Sequence, residues 1–445
     1  MRCARKQSTR AAGFLLALVA VAALPAAPAL AGPAQATSTV ARAPGAVEAG
    51  AGLPRAPIRR GQLAELCQQQ PRPSNSIAET PWAQARLQFD RVHTFATGRE
   101  VTVAVVDTGV WASHPQLNGP ELDGGVVDQD NGGSLVGDGV SATVDCDGHG
   151  TLIAGIIAAR PADDTNFQGI APFAKILPVR VTNSLDEGSA GTLADGINYA
   201  VDQGVDIINV SVLADNEFPA LVDAIKRALD NNIVVVTAAG NTGAEDNAKR
   251  WPAELARKPG FEGLIVVGAT NQDGTLAPFT TTSVPASVAA PGVGVTGPAP
   301  IQGHTRNDND GTSFAAPFVS GTAALVLEAY DKQLTPLQVK RRLQLTADHP
   351  GADLPAEGLG YGVVNPYEAV TAILPESSSA PATPEAGIKP LAADTGPDTT
   401  ARDVALIVSG TAVGLALITL GAVATYRRGR DRSWQPSQER PQTQT

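Results

Sequence analysis

The sequence is poor in charged and aromatic residues, which make up 17% and 4% of its 445 positions. Its formal net charge of −11 argues against a dedicated nucleic-acid-binding protein, because no basic stripe can displace counterions from phosphates. Three cysteines are too few for a disulfide scaffold or a cysteine-rich zinc module. The 45 glycines show no three-residue period, which excludes collagen, and several β-branched apolar runs exclude a wholly disordered chain.

The N-terminus is typical of an export signal. Basic residues within the first ten positions precede a short apolar stretch at 11–24, and A-L-A at 29–31 resembles a cleavage site. The alternative is an uncleaved membrane anchor, but the apolar stretch stops at Pro25 and is short for a bilayer. We therefore predict a signal peptide at 1–31 that is removed from the mature protein.

The number of cysteines left after export predicts one disulfide bond. Cleavage after residue 31 removes Cys3 and leaves Cys67 and Cys146 in an oxidising compartment, where pairing is the default. We predict that Cys67 pairs with Cys146, and the alternative is two separate buried thiols.

The C-terminal region has the features of a membrane anchor. Residues 404–425 carry no charge, and at 1.5 Å per residue a helix of this length spans roughly 33 Å, enough for the hydrocarbon core. Tyr426 and several arginines follow at once, as expected for an aromatic at the interface and a positive cytoplasmic flank. A buried core helix is the alternative, although such a helix usually has a polar face. We predict a single transmembrane helix at 404–425, a cytoplasmic tail at 426–445 and a body outside the cell membrane.

Composition divides the region between the two ends. Residues 32–60 contain no aromatic residue and belong to an N-terminal extension at 32–81. Residues 375–403 are rich in proline and are predicted to be a semi-extended linker. The body at 82–374 is long enough for a single large core.

Inside the body, apolar runs alternate with helical patterns, which indicates an α/β fold with a mostly parallel sheet covered by helices on both faces. The predicted strands lie at 101–107, 175–181, 206–212, 233–241 and 264–270. The predicted helices begin after His149 and near Ser313, and occupy about 192–203 and 219–231. Binding and catalytic groups of such sheets lie beyond the carboxyl ends of the strands.

Four polar residues stand at such places. Asp107 ends the first predicted strand, His149 lies in D-C-D-G-H-G-T, Asn241 ends the run A-A-G-N, and Ser313 lies in G-T-S-F-A-A-P. A serine hydroxyl needs an adjacent base, a histidine suits that task, and a buried aspartate fixes the histidine tautomer. A side-chain amide and the backbone N–H of Ser313 would stabilise an oxyanion. Each residue alone is a weak signal, and their joint occurrence predicts nucleophilic catalysis.

These motifs resemble those of the subtilisin-like serine proteases, the subtilases, over about residues 100–370. The order Asp, His, Ser is that of the family and differs from the orders in α/β-hydrolases and chymotrypsin. The resemblance implies a subtilisin-like fold and an endopeptidase in which Asp107 orients, His149 acts as general base and acid, Ser313 is the nucleophile and Asn241 completes the oxyanion hole. It implies no cofactor. Because a proline is tolerated in the first turn of a helix, Pro317 predicts a helix start close to Ser313.

The layout of the chain resembles a narrower group, the mycosins, which are membrane-anchored subtilases associated with type VII secretion. The shared features are a signal peptide, an extension with Cys67, the motif containing Cys146, a Pro-rich linker, one membrane helix and an Arg-rich tail. This resemblance implies cleavage of secreted protein substrates and association with secretion-complex components. The alternative function is a mainly structural component of that complex. A lipase or esterase is disfavoured, because Ala315 stands where the nucleophile elbow G-x-S-x-G needs glycine.

Three features are left open by the sequence. Leu213 stands where many subtilases have glycine beside the primary specificity pocket, which predicts a narrowed pocket entrance and little activity on casein. The loop at 121–147 is rich in aspartate, and a solvated acidic loop is favoured over a calcium site because the D-x-[DN]-x-[DN]-G pattern is absent. No metal is assigned, and no catalytic role is given to Asp145 or Asp147. The N-terminal extension is either an inhibitory propeptide or, as its composition favours, a wrapping segment.

Overall fold

The structure, a computed structural model, describes most of the body and one C-terminal helix. The described residues are 67, 71–119, 125–126, 133–184, 189–243, 249–351, 353–374, 414–415 and 417–430. The predicted signal peptide, the linker at 375–403 and most of the N-terminal extension lie outside these residues, so the predictions for them stay predictions.

A seven-stranded parallel sheet forms the centre of the body. Its strands, in chain order, are β1 (Thr102–Asp107), β2 (Gly125–Val126), β3 (Lys175–Arg180), β4 (Ile207–Val210), β5 (Val234–Ala238), β6 (Ile265–Thr270) and β7 (Val288–Pro291). They lie side by side in the order β2-β3-β1-β4-β5-β6-β7. An antiparallel pair, β8 (Val295–Pro298) and β9 (His304–Asn309), follows.

Eight helices of the body have defined bounds among the described residues. They are α1 (Trp82–Leu87), α2 (Phe89–Val92), α3 (His149–Ala158), α4 (Ala190–Asp202), α5 (Pro219–Asp230), α6 (Thr312–Ala329), α7 (Pro336–Leu345) and α8 (Pro366–Thr371). A short 3₁₀ helix lies at Ala253–Arg257. The helix starts follow local signals: the Ser189 hydroxyl accepts a hydrogen bond from the backbone of Thr192 at α4, and proline occupies the first turns of α5 and α7.

The two faces of the sheet are both covered, as predicted. Side chains of β1 alternate between them, so that Val103 and Val105 pack with α3 and α6, whereas Ala104 and Val106 pack with α4 and α5. Because both faces are buried, the strands are continuous apolar runs without alternation. The predicted α/β fold is therefore confirmed, and each predicted strand is present but one to four residues shorter.

One local prediction was wrong. Pro317 was expected in the first turn of its helix, but α6 begins at Thr312, so Pro317 is its sixth residue. A proline there cannot donate to the carbonyl of Ser313 four residues earlier, and that carbonyl instead accepts a hydrogen bond from the Ser211 hydroxyl at 3.0 Å. The helix tolerates the proline because a tertiary contact replaces the missing donor.

Two helices are apolar in composition but differ in their surroundings. Within the described residues, α6 is the helix long and apolar enough to cross a membrane, and 89% of that span is buried in the body, so it is a core helix. Residues 417–430 are also helical and lie partly within the predicted membrane segment. This second helix exposes Leu417, Ile418, Leu420 and Val423.

The described part of the N-terminal extension lies on the body. Backbone hydrogen bonds join Ser74 to Gln302 and Asn75 to His304, at 3.0 and 3.1 Å. Ile77 is buried in a small apolar cluster with Ala159 and Phe167. The extension therefore contributes to the packing of the body beside β9.

Candidate active site

Three of the residues singled out by sequence lie at the carboxyl edge of the sheet. Asp107 is the last residue of β1, which is flanked by β3 and β4. His149 is the first residue of α3, and Ser313 is the second residue of α6. Because α3 and α6 pack on the same face of the sheet and against each other, their N-termini meet above the end of β1.

The three side chains form one hydrogen-bonded line. His149 Nδ1 lies 2.7 Å from Asp107 Oδ1, and His149 Nε2 lies 3.1 Å from Ser313 Oγ. All three residues are buried, with exposed fractions of 0% for Asp107, 6% for His149 and 8% for Ser313. Since Asp107 can only accept, Nδ1 carries the proton and Nε2 is left to accept from the serine hydroxyl.

The charge of Asp107 determines the protonation behaviour of His149. Burial by itself lowers the pKa of His149, but the Asp107 carboxylate, through its charge and its hydrogen bond, raises it, and the net pKa lies above the ordinary value of 6.5. Asp147 and Asp145 act in the same direction. The site therefore favours a proton arriving on the imidazole, which is what a general base requires. The ring of Phe314 packs on the imidazole at 5.1 Å between centroids.

Asn241 lies where its amide nitrogen can face the nucleophile. Its Oδ1 accepts hydrogen bonds from the backbone N–H and the hydroxyl of Thr312, at 2.8 and 2.9 Å. With the oxygen used in this way, Nδ2 is the group left to face the site. The backbone N–H of Ser313, in the first turn of α6, has no acceptor within the helix. Two donors therefore converge beside Ser313 Oγ, the arrangement that an oxyanion requires.

Two glycines keep this space open. A Cβ on Gly311 would lie 3.1 Å from Ser313 Oγ and 3.2 Å from Asn241 Nδ2. It would occupy the space between nucleophile and amide where a substrate carbonyl must enter. A Cβ on Gly150 would lie 2.0 Å from the Gly109 carbonyl oxygen and 3.2 Å from the Asp107 Cβ, so only glycine lets α3 approach the end of β1.

A buried polar chain beneath Ser313 was missed by the sequence reasoning. The Ser320 hydroxyl donates to Asn209 Oδ1 at 2.8 Å, and Asn209 Nδ2 donates to the Ser211 hydroxyl at 2.9 Å. Ser211 in turn donates to the Ser313 carbonyl oxygen. All four residues are buried. The signal in the sequence was the pair of polar residues in N-V-S, at the end of a strand that is otherwise apolar.

The predicted disulfide bond is present. Cys67 and Cys146 are bonded, with Cα atoms 5.5 Å apart and a separation of 79 residues along the chain. The bond lies in a small apolar cluster with Trp111, Val140 and Val144. Since Cys146 precedes His149 by three residues, the bond fastens the N-terminal extension beside the active site.

The acidic loop before His149 is partly described. Asp138 makes a two-point ion pair with the buried Arg180, at 2.8 and 2.7 Å, and the hydrogen bond from Arg180 lowers the pKa of Asp138. Asp145 is fully buried and accepts hydrogen bonds from Thr108, Gly148 and Thr151. The residues that the structure describes contain no cluster of three or more metal-ligating side chains. Asp123, Asp128 and Asp130 lie outside them, so calcium binding by the whole loop stays untested.

Leu213 lies just beyond β4 and is half-buried. The next residue, Ala214, forms two backbone hydrogen bonds of 2.9 Å with Trp251. The Arg250 side chain packs on Gly240 and donates to Asp215 at 2.8 Å. The segment after β4 is thus fastened to the segment that precedes the 3₁₀ helix, on the Asn241 side of the site.

Comparison with known proteins places this geometry in a family. The sequence profile of the subtilase family matches residues 98–362, which contain all four residues of the site. Mycosin-1 of Mycobacterium tuberculosis is 32% identical over 415 residues, covering 81% of this chain and 87% of the relative. Subtilisin DY of Bacillus licheniformis is 36% identical over 288 residues, covering 64% of this chain and 96% of the relative.

Solved structures agree with the sequence relatives. The crystal structure of MycP1 without its N-terminal propeptide has a TM-score of 0.59 and 31% identity, covering 67% of this chain and all of that chain. The MycP3 protease from the type VII (ESX-3) secretion system has a TM-score of 0.56 and 29% identity, covering 67% and 92%. The chain therefore belongs to the subtilase family of serine proteases, and the mycosins are among its relatives.

Proposed function

We propose that this protein is a membrane-anchored serine endopeptidase that hydrolyses peptide bonds of secreted proteins through an acyl-enzyme. The observation that carries the proposal is the position of His149, within hydrogen-bond distance of both Asp107 and Ser313. No cofactor takes part in this chemistry.

In the proposed mechanism, Ser313 Oγ attacks the peptide carbonyl carbon while His149 Nε2 takes the hydroxyl proton. Asp107 holds the imidazole in orientation and stabilises the imidazolium. Asn241 Nδ2 and the Ser313 N–H donate to the oxyanion, and His149 passes its proton to the leaving amine as the bond to the amine breaks. Water then attacks the acyl-enzyme, with His149 again taking a proton and returning it to Ser313 Oγ.

Labelling with a serine-directed phosphonate tests these roles without knowledge of the substrate. We expect one label, mapped by peptide mass to Ser313, and none in Ser313→Ala. Against a peptide substrate, Ser313→Ala is expected to lose more than about 10⁴-fold in kcat. Asn241→Leu is expected to lose about 10²–10³-fold, a range known from the equivalent amide of subtilisin. A label on another serine, or full activity of Ser313→Ala, would refute the mechanism.

We also propose the arrangement in the membrane that the sequence predicts. The signal peptide at 1–31 is removed, the linker at 375–403 joins the body to a transmembrane helix at 404–425, and residues 426–445 lie in the cytoplasm. The exposed apolar side chains of the helix at 417–430, which have no covering in the body, support it. Carbonate extraction of membranes tests it, since a truncation after residue 374 should become soluble while the full chain should not.

The relatives point to a place of action. One homologue of solved structure, MycP1, is described as an essential component of the type VII (ESX-1) secretion system; it is 31% identical to this chain, with a TM-score of 0.57. We propose that this chain likewise serves a type VII secretion complex. The second candidate function, a mainly structural component of that complex, is favoured by the same description. Ser313→Ala separates the two: loss of substrate cleavage with an intact complex indicates two separable roles.

The N-terminal extension is proposed to wrap the body and to remain attached to it. The Cys67–Cys146 bond and the contacts of residues 74–77 support this role. Cleavage of the chain between Cys67 and Ser74 tests this role. If the extension only wraps the body, cleavage should leave the rate of phosphonate labelling unchanged. If the extension is an inhibitory propeptide, cleavage should raise that rate.

Narrow specificity is proposed for the site because Leu213 replaces a small residue beside it. The expectation is little cleavage of casein by the wild type and a gain of roughly 10–100-fold for Leu213→Gly, the scale of discrimination by side-chain bulk in a pocket. Rapid casein cleavage by the wild type would refute the idea.

A further inference from the structure

Asp145 is a second buried carboxylate beside the triad, and its hydrogen bonds are complete. Its exposed fraction is 0%. Oδ1 accepts from the Thr108 hydroxyl and from the backbone N–H groups of Gly148 and Asp147, at 2.9, 2.8 and 3.2 Å. Oδ2 accepts from the backbone N–H and the hydroxyl of Thr151, at 2.8 and 2.6 Å. Five hydrogen bonds therefore satisfy this one buried carboxylate.

Thr108 connects this carboxylate to the triad. Its hydroxyl oxygen accepts from the Gly150 N–H at 3.0 Å, and the hydroxyl proton faces Asp145 Oδ1 at 2.9 Å and, at a longer 3.3 Å, Asp107 Oδ1. Its backbone N–H donates to Asp107 Oδ1 at 2.8 Å. Thr108 therefore joins Asp145 to the end of β1 and to the start of α3. The strand β1 carries Asp107 and the helix α3 carries His149, so the relative position of these two elements sets the distance between the two side chains.

Thr151 makes the second connection. Its hydroxyl accepts from the Trp111 N–H at 2.9 Å, so its own proton is directed to Asp145. Since Thr151 lies in the first turn of α3, Asp145 binds both the loop that precedes His149 and the turn that follows it. A carboxylate near a helix N-terminus also suits the helix dipole.

The hydrogen-bond donors around Asp145 suit its anion, because a carboxylate only accepts. Burial raises the pKa of Asp145 above its usual value, and the hydrogen bonds from Thr151, Gly148 and Thr108 offset this only in part. If the Asp145 carboxyl were protonated, its proton would point at a group that already donates its own hydrogen to Asp145. A negative charge therefore persists beside His149 in addition to the charge of Asp107.

We infer that Asp145 is a positioning residue for the triad. Through Thr108 and Thr151 it fixes the start of α3 against the end of β1, and its charge adds to the field that stabilises the His149 imidazolium. This inference rests on the function proposed above. Asp145 does not touch the reacting atoms, so it acts through Thr108 and Thr151 and through its charge.

The groups around His149 determine the expected pH effect. The carboxylates acting on it are Asp107 on β1 and Asp147 and Asp145 in the loop before α3, and each raises its pKa. From α6 it meets Ser313 and Phe314, which are uncharged. Removing the charge of Asp145 should therefore lower the pKa of His149 and move the acid limb of the reaction to lower pH.

The experiment uses the full chain and a serine-directed phosphonate, with the inactivation rate constant and the half-saturating concentration measured from pH 4 to 9. We expect Asp145→Asn to lower the rate constant about 10–100-fold, with little change in half-saturation, and to move the acid limb to lower pH. Thr108→Val should lower the rate constant without that move, because Asp145 keeps its charge. Thr108→Ser, which keeps the hydroxyl, should restore the rate. Asp230→Asn, at an exposed carboxylate on α5, is the matched control and should match the wild type.

Two results would overturn the inference. One is a wild-type rate and pH profile in Asp145→Asn. The other is an equal loss in Thr108→Val and Thr108→Ser, which would mean that the hydroxyl does not matter; this pair decides if Asp145→Asn does not fold. Ser313→Ala separates failure of the inference from failure of the proposed function, since only the latter predicts labelling that persists without Ser313.

Discussion

Two buried histidines of this protein differ in one respect, the charge of their partners. His149 donates to the Asp107 carboxylate, and its pKa is raised. His114 is buried to a similar degree, but its Nε2–H faces the Gly303 carbonyl oxygen at 3.1 Å and its Nδ1 accepts from the Gln116 N–H at 3.2 Å. Burial lowers the pKa of His114, and the Gly303 hydrogen bond and the more distant Asp164 offset this only in part.

Burial alone lowers the pKa of a histidine and so does not make it a better general base, whereas a neighbouring carboxylate raises the pKa. A neutral imidazole between a carbonyl and an amide is a satisfied core residue. The same ring beside a buried carboxylate can accept a proton at low cost. His304 resembles His114, since its Nε2 lies 2.7 Å from Gln116 Oε1 and its Nδ1 accepts from the Ile77 N–H. The ring of His304 thereby holds the N-terminal extension through Ile77.

The two pKa shifts give opposite dependences of stability on pH. His149 is stabilised in its charged form, so its contribution is present below pH 6.5 and is lost as pH rises through its raised pKa. His114 resists protonation in the folded state, so the unfolded state binds more protons in the window below 6.5. Its contribution is therefore lost as pH falls through that window.

The largest expected effect comes from removing the charge that distinguishes His149 from His114. Asp107→Asn gives His149 an uncharged partner like those of His114, and we expect kcat to fall about 10⁴-fold because the imidazolium loses its counter-charge and the tautomer its direction. The pKa of His149, followed by NMR of the ring, should fall. Asp164→Asn removes the carboxylate near the other histidine and should leave turnover unchanged. Turnover within tenfold of wild type in Asp107→Asn would contradict the assignment of this pair.

The next effect concerns the covalent link between the two regions. In the chain-entropy picture, closing a loop of 79 residues stabilises the fold by about 4–5 kcal/mol, so reduction, or Cys67→Ser with Cys146→Ser, should lower the free energy of unfolding by a comparable amount. The extension would then be held by its non-covalent contacts, such as the backbone hydrogen bonds of Ser74 and Asn75 and the buried Ile77. Urea unfolding with and without reductant measures this loss. The double serine variant is the control, because reductant should not change it further.

The smallest effect sharpens the comparison at His114. His114→Gln retains a donor for the Gly303 carbonyl but does not titrate, so the loss of stability on acidification below pH 6.5 should become shallower. Some slope should persist, because burial also lowers the pKa of His93. At pH 7 the change in unfolding free energy should fall in the range of about 0.5–3 kcal/mol. His349→Gln, at an exposed histidine, is the matched control; an unchanged slope in His114→Gln would mean that His114 is not the acid-sensitive group.

Much of the fold could be predicted because local and global signals agree. The β-branched runs at 102–107 and 265–270 favour strands by themselves, and their lack of alternation predicts burial on both faces. The strands β2, β7, β8 and β9 were missed, since runs of two to six residues are too short to show a clear strand pattern. The place of Pro317 within its helix was also misjudged, because Ser211, which replaces the missing donor, lies 102 residues from Ser313 in the sequence.

The sequence by itself determined which residues this protein can use and the order in which its strands and helices follow one another. Its motifs named Asp107, His149, Asn241 and Ser313, and its cysteine count predicted the pair that is bonded. Only the tertiary structure decided which histidine meets a carboxylate and that Asp145 joins β1 to α3. The physical reason is that a pKa and a hydrogen-bond partner depend on distances between groups far apart in the chain, and those distances exist only once the sheet and its helices have packed.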